Sequence, residues 1–198
     1  MGVNQSLINC NFGTNVHIDL RKRSYYKHIK RISSDYVVAP SDPLKIFQMT
    51  DIHVGSFISI QRIKHLSEKI ISLNPDLVIL TGDFYTIETR NDDDALYHCL
   101  EPFKNFKGKV FACLGNHDYE QLEAIKDCLK RIDIELLVDQ STVVETRLGK
   151  VEILGAEYYF HDPQERTSKL FELNPRSSEV ILHLTLLHNP LHFYHIRW

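Results

Sequence analysis

Short, mostly apolar runs at residues 44–49, 77–80, 110–114 and 184–187 punctuate this chain, and each ends at polar or glycine residues. Runs this short and largely continuous read as strands buried on both faces. Between the first two, Ile60, Ile63, Leu66 and Ile70 recur at helical spacing and stop near Asn74 and Pro75, which predicts a crossover helix. A second helix is expected over 95–103, behind a solvated acidic loop of Asp92, Asp93 and Asp94 that caps it. A third carries Leu122, Ile125, Leu129 and Ile132 on one face. Strands alternating with helices predict an open parallel sheet, whose loops beyond the carboxyl ends of the strands meet in one crevice.

The pattern then changes. Residues 142–147 and 151–154 flank Leu148, Gly149 and Lys150, which predicts a β-hairpin and a second, antiparallel sheet region. Asp162 and Pro163 open a short helix through Phe171, and 180–187 forms a last strand. Residues 1–43 lack a clear period and are read as an N-terminal arm, with one edge strand at 32–38 closed by Ala39, Pro40 and Pro43. Residues 44–198 then make one domain. With 43% hydrophobic and 25% charged residues, the chain is neither disordered nor fibrous and can fill one sizeable core.

Each apolar run ends in residues able to hold a metal: Asp51 and His53 after the first, Asp83 after the second, Asn116 and His117 after the third, His188 after the fourth. Two carboxylates, an amide and several imidazoles are therefore expected in one place. Two dications held close together repel each other, so the site needs an anionic bridge, a role that suits Asp83 with its two oxygens and Gly82 before it. Asp51 and His53 would bind one ion, Asn116 and His188 the other. Mixed imidazole and oxygen donors suit Mn, Fe, Zn or Co. Such a pair lowers the pKa of a bridging water into a metal-bound hydroxide that attacks phosphorus. His117 is the expected proton donor to the leaving oxygen, and Asp118 the residue that fixes its tautomer. His65 and His183 are read as partly buried scaffold.

These residues lie in TDIHVG at 50–55, LTGDF at 80–84, LGNHDY at 114–119 and LLHNP at 186–190. In order and spacing the chain resembles the calcineurin-like metallophosphoesterases, in the wording of small bacterial-type phosphohydrolases that act on lipid or nucleotide-sugar phosphates. The resemblance implies an α/β fold, a β-sandwich of two mixed sheets flanked by helices. It implies Asp51, His53 and Asp83 at one metal, Asp83, Asn116 and His188 at the other, and a phosphomonoester or phosphodiester substrate. The family also carries a later GHxH element that completes both metal shells. Here the sequence runs eight residues past Pro190, and His192 and His195 lack the glycine and the one-residue gap. On the resemblance the chain is thus expected to be a C-terminally truncated member with an unpaired strand edge and a thinner metal shell. The rival expectation is a catalytically impaired member that serves as a binding protein.

The formal charge of −3 offers no general attraction for nucleic acid, and no apolar run is long enough to span a membrane. Cys10, Cys99, Cys113 and Cys128 have no close pair spacing, which suggests reduced thiols in the cytoplasm. Met1, Gly2 and Ser6 fit an N-myristoylation pattern, with Cys10 as a second acylation site. The basic stretch Arg21, Lys22, Arg23, Lys27, Lys30 and Arg31 reads either as an exposed arm or as the second signal for peripheral membrane contact.

Overall fold

The computed structural model describes residues 44–55, 58–85, 92, 94–158, 170, 172, 174 and 178–189, with the strand backbones at 8–11 and 15–17. The three central apolar runs form β-strands as expected. In chain order the strands are β1 (Ile8–Asn11), β2 (Asn15–His17), β3 (Leu44–Met49), β4 (Leu77–Thr81), β5 (Val110–Cys113), β6 (Glu135–Leu136), β7 (Gln140–Thr146), β8 (Gly149–Gly155) and β9 (Leu182–Leu186). The helices are α1 (Ile60–Ser72), α2 (Ala95–Leu100) and α3 (Leu122–Ile132). A six-stranded sheet has the order β2-β1-β3-β4-β5-β6, and a three-stranded sheet the order β7-β8-β9. From β3 to β6 every pairing is parallel, while β1 and β2 extend the edge antiparallel.

Side-chain alternation divides each central strand between two cores. Leu44 and Ile46 of β3, Leu77 and Ile79 of β4, and Phe111 and Cys113 of β5 pack against Val151, Ile153 and Leu186 of the smaller sheet. Their neighbours Phe47, Met49, Val78, Leu80, Val110 and Ala112 face the helices, where Ile63 and Ile70 of α1 and Ile125 and Leu129 of α3 meet them. This two-sided burial is why the runs of β4 and β5 are continuous, while Lys45 and Gln48 of β3 are only partly buried; each buried Leu or Ile is worth roughly 1.5–3 kcal/mol. Helix α1 starts at Ser59, whose Oγ accepts the Arg62 N–H at 3.4 Å.

Several expectations change in detail. The fourth run does not join the parallel sheet: β9 belongs to the smaller sheet, parallel to β8, while β7 and β8 form the expected hairpin. That region is therefore mixed rather than antiparallel, since periodicity fixes a strand's faces and not its direction. The second helix is α-helical only to Leu100 and continues as a 3-10 turn over Glu101–Asn105, with Pro102, which has no N–H to donate, at its start. Asp94 makes no side-chain cap and instead binds Arg131 at 2.8 Å. The strand expected at 32–38 lies outside the described residues, as does nearly all of the helix expected from Asp162. Cys99, Cys113 and Cys128 are free and buried. Burial pushes the thiols of Cys99 and Cys128 up to about 12, which leaves them inert.

Candidate metal centre

The loops leaving β3 and β4 run side by side: the N–H groups of Asp51, His53 and Val54 donate to the carbonyls of Gly82, Asp83 and Phe84 at 3.1, 3.0 and 2.9 Å. Asp51, His53 and Asp83 all hold left-handed backbone, at φ 52°, 43° and 56°. Three non-glycine residues in that sparsely populated region, each at a strand end, mark strain that the surrounding hydrogen bonds sustain. Gly82, at φ +78°, lies so close to the next loop that an added Cβ would sit 2.2 Å from the Gly115 nitrogen. A Cβ on Gly115 would in turn meet Asp83 Oδ1 at 2.3 Å. The glycines of the two motifs are what let the ends of β4 and β5 approach.

Asp83 occupies the centre. Its Oδ1 accepts the His117 N–H at 3.0 Å, which fixes the carboxylate plane. Its Oδ2 lies 3.5 Å from His53 Nε2 and 3.4 Å from His188 Nε2. Each imidazole is oriented from behind: His53 Nδ1 is 3.3 Å from the Tyr85 carbonyl, and His188 Nδ1 is 2.7 Å from the Thr81 carbonyl. A carbonyl can only accept, so both Nδ1 atoms carry hydrogen and both Nε2 atoms face the centre, the arrangement that metal-binding histidines use. Asn116 Oδ1 is 3.2 Å from His188 Nε2, and Asp51 Oδ1 is 3.9 Å from His53 Nε2. One ligand atom from each of Asp51, Asp83 and His188 falls within 4.8 Å of the others. The five residues expected to bind metal are thus together, although His188 arrives from the other sheet.

The donor set fits divalent cations. Burial disfavours the ionised form of Asp83, but the hydrogen bond from His188, the His117 amide and the charges of His188 and His53 prevail and hold its pKa below the usual carboxylate value. Burial likewise opposes a charged His188, yet the Asp83 hydrogen bond, the Thr81 carbonyl and the charges of Asp83 and Asp51 raise it to about 9. An imidazolium whose Nε2–H points at Asp83 and Asn116 does for those oxygens what a cation would do. Side-chain exposure climbs from 5% at Asp83 and 9% at His188 to 18% at His53 and 55% at Asp51, so the cluster opens on the Asp51 side. The exposed His117 packs edge-on against His53, ring centroids 5.6 Å apart.

The expected role of Asp118 is corrected. Its fully buried carboxylate accepts the N–H groups of Asp83 at 2.9 Å, Phe84 at 2.7 Å and Gly115 at 2.7 Å. Those three bonds tie the two motif loops together and leave Asp118 as a clamp on the backbone rather than a partner for the His117 ring. Burial pushes its carboxyl above the ordinary value, aided by the charge of Asp83 and opposed by the three amides. His65 is exposed rather than partly buried, and half-buried His183 binds Glu152 at 2.5 Å on the smaller sheet. His192 and His195 lie outside the described residues. Sequence reasoning missed the carbonyls of Thr81 and Tyr85, which no side-chain pattern encodes. It also missed Tyr158, whose ring meets His188 edge-on at 5.9 Å.

A fold of parallel strands whose loops gather carboxylates and imidazoles, packed on a smaller sheet that adds one more histidine, defines a phosphoesterase-type metal site. The family model for calcineurin-like phosphoesterases matches residues 44–197, and the chain belongs to that family. It is 28% identical to the phosphodiesterase YaeI of Escherichia coli over 152 residues, 75% of this chain and 53% of that protein. It is 40% identical over 76 residues to the UDP-2,3-diacylglucosamine pyrophosphatase LpxG of Chlamydia trachomatis, 38% of this chain and 23% of that protein. The chain thus spans about half or less of the length of these relatives. Among solved structures, the NAD nucleotidase of Haemophilus influenzae shares the fold, with a TM-score of 0.51 at 13% identity over 76% of this chain and 35% of that one.

Proposed function

We propose that this protein is a metal-dependent phosphohydrolase that cleaves a phosphomonoester or phosphodiester, with Asp83 shared between two divalent ions. The observation that carries this reading is the position of Asp83 Oδ2 between the Nε2 atoms of His53 and His188 at nearly equal distance. Asp51, His53 and Asp83 would hold one ion, and Asp83, Asn116 and His188 the other. Bound divalent ions supply Lewis acidity, which acidifies water and offsets the negative charge on phosphoryl oxygens. The chain's own residues do the rest. Asp83 and Asp51 supply the anionic charge that keeps two cations close, and the Thr81 and Tyr85 carbonyls hold both imidazoles in the donor tautomer. Left-handed backbone at Asp51, His53 and Asp83 presets the donors, so little reorganisation accompanies loading. His117, exposed beside His53, would protonate the leaving oxygen.

The names of the relatives, a phosphodiesterase and a pyrophosphatase, support phosphoester chemistry for this chain. The test is turnover of bis(p-nitrophenyl) phosphate by the full chain with added Mn. The expected result is release of nitrophenol that stops on chelation and returns with metal. A protein that binds Mn and releases none would favour the non-catalytic reading.

A further inference from the structure

His188 reaches the candidate centre from the smaller sheet, two residues past the end of β9. The Thr81 carbonyl, Asn116 and Asp83 engage its two nitrogens. Its ring also meets that of Tyr158 edge-on, with centroids 5.9 Å apart. Tyr158 stands three residues past the end of β8, and the loop that carries it is tied on both sides. On the smaller-sheet side the Ala156 N–H donates to the Leu186 carbonyl at 3.1 Å, and the Glu157 N–H to Asp139 Oδ1 at 3.0 Å. Toward the larger sheet, the Tyr119 hydroxyl donates to Glu157 Oε1 at 3.1 Å and lies 3.4 Å from the Tyr158 carbonyl.

Tyr119 belongs to the other layer. It follows Asp118 in the 3-10 turn Asp118–Gln121, next to the carboxylate that clamps the loops of β4 and β5, and it packs against the helix-side core. Burial, then the charge of Glu157, raise its phenol above the ordinary range, so the hydroxyl keeps the hydrogen that it donates. A run of contacts thus leads from the Asp118 clamp through Tyr119, Glu157 and Tyr158 to the His188 ring. Hydrogen bonds to carboxylates are charge-assisted and edge-on ring pairs are directional, so the run transmits orientation and not only proximity.

We propose that Tyr119, Glu157 and Tyr158 are positioning residues for His188, holding the ring so that its Nε2 faces Asp83 and Asn116. They act through the His188 ring and the loop beside it, not as ligands. This role deepens the two-ion reading and rests on it, because the orientation of Nε2 matters to function only when a metal binds there. A ring already held in its donor orientation loses less freedom on binding, which raises affinity without a new metal bond. The effect falls on the ion at His188, since Asp51 and His53 are set by the loops of the larger sheet.

The experiment combines Mn calorimetry on the full chain with NMR of the metal-free protein, where the imidazole C–H signals of His188 are assigned by their loss in His188→Ala. Tyr119→Phe keeps the packed ring and deletes only the hydroxyl. It should weaken the second ion by about tenfold, leave the first unchanged and displace the His188 signals. Tyr158→Ala should act alike, while Tyr158→Phe, which keeps the ring, should match the parent. Glu157→Gln retains an oxygen to accept the Tyr119 hydroxyl and should recover most of the affinity that Glu157→Ala loses. Should Tyr158→Ala fail to fold, Tyr119→Phe and the Glu157 pair carry the test. A merely structural role predicts an equal fall for both ions, or a lower urea midpoint with both affinities intact, and either result overturns the proposal. If the unaltered chain binds fewer than two ions, the two-ion reading fails and the contact run is judged in the metal-free protein. There, His188 signals displaced by Tyr119→Phe but not by Tyr158→Phe support it, and signals that Tyr119→Phe leaves in place overturn it.

Discussion

The two sides of the metal centre are built differently. On the larger sheet, Asp51, His53, Asp83 and Asn116 stand on loops that share backbone hydrogen bonds, packed glycines and the three amide bonds to Asp118. On the smaller sheet a single residue, His188, reaches across to Thr81, Asn116 and Asp83. Its position depends on how β9 and β8 pack on the core of Leu44, Ile79, Phe111 and Ile153. One half is thus preset by local geometry, and the other by the fit of two layers. On the proposed two-ion arrangement, the ion at Asp51, His53 and Asp83 would stay when the ion that needs His188 is lost, because those three donors stand on the larger sheet.

The sharpest break of that contrast is Asp83→Ala, which removes the group common to both halves. It should lower kcat for an aryl phosphodiester by at least about a thousandfold, measured at saturating Mn. His188→Ala removes only the smaller sheet's contribution, and the expected loss is about a hundredfold, with one bound ion remaining. Asp118→Ala tests the local half from another direction. It leaves the amides of Asp83, Phe84 and Gly115 buried without an acceptor, which should cost on the order of 3 kcal/mol or more in urea unfolding. Asp118→Asn keeps part of that network and should cost less. A variant as stable as the parent would show that the three bonds are not the clamp described.

The smallest effect expected is on pH dependence. His188 is raised to about 9 from an ordinary value of 6.5. In the metal-free protein its proton therefore stabilises the fold fully below about pH 6.5, and that contribution is lost as pH rises toward 9. Divalent ions need the neutral imidazole, so affinity at the His188 side should rise over the same interval by up to about tenfold per pH unit. Titrations with Mn at several pH values would show this, and His188→Ala should abolish it. A slope that persists in that variant would assign the proton to another group.

Much of the site is legible in the chain because the motifs sit where apolar runs stop. The ends of β3, β4 and β5 place Asp51, His53, Asp83 and Asn116 together once the strands are parallel neighbours. The sheet to which β9 belongs is not legible in this way, since run 184–187 looks like the others and only packing places it opposite them. The two-residue strand β6 is too short to leave a period. The left-handed backbone at Asp51, His53 and Asp83 leaves no mark because none of them is glycine. Asp118 shows why adjacency misleads: next to His117 in sequence, its carboxylate turns back to the amides of Asp83, Phe84 and Gly115.

The proposal that Asp83 is a ligand shared by two ions is tested most directly by a metal titration of the full chain, followed by calorimetry and by metal content after gel filtration. Two ions per chain are predicted, with His188→Ala retaining one and Asp83→Ala retaining none at comparable metal concentration. Two ions bound by Asp83→Ala as tightly as by the parent would contradict it.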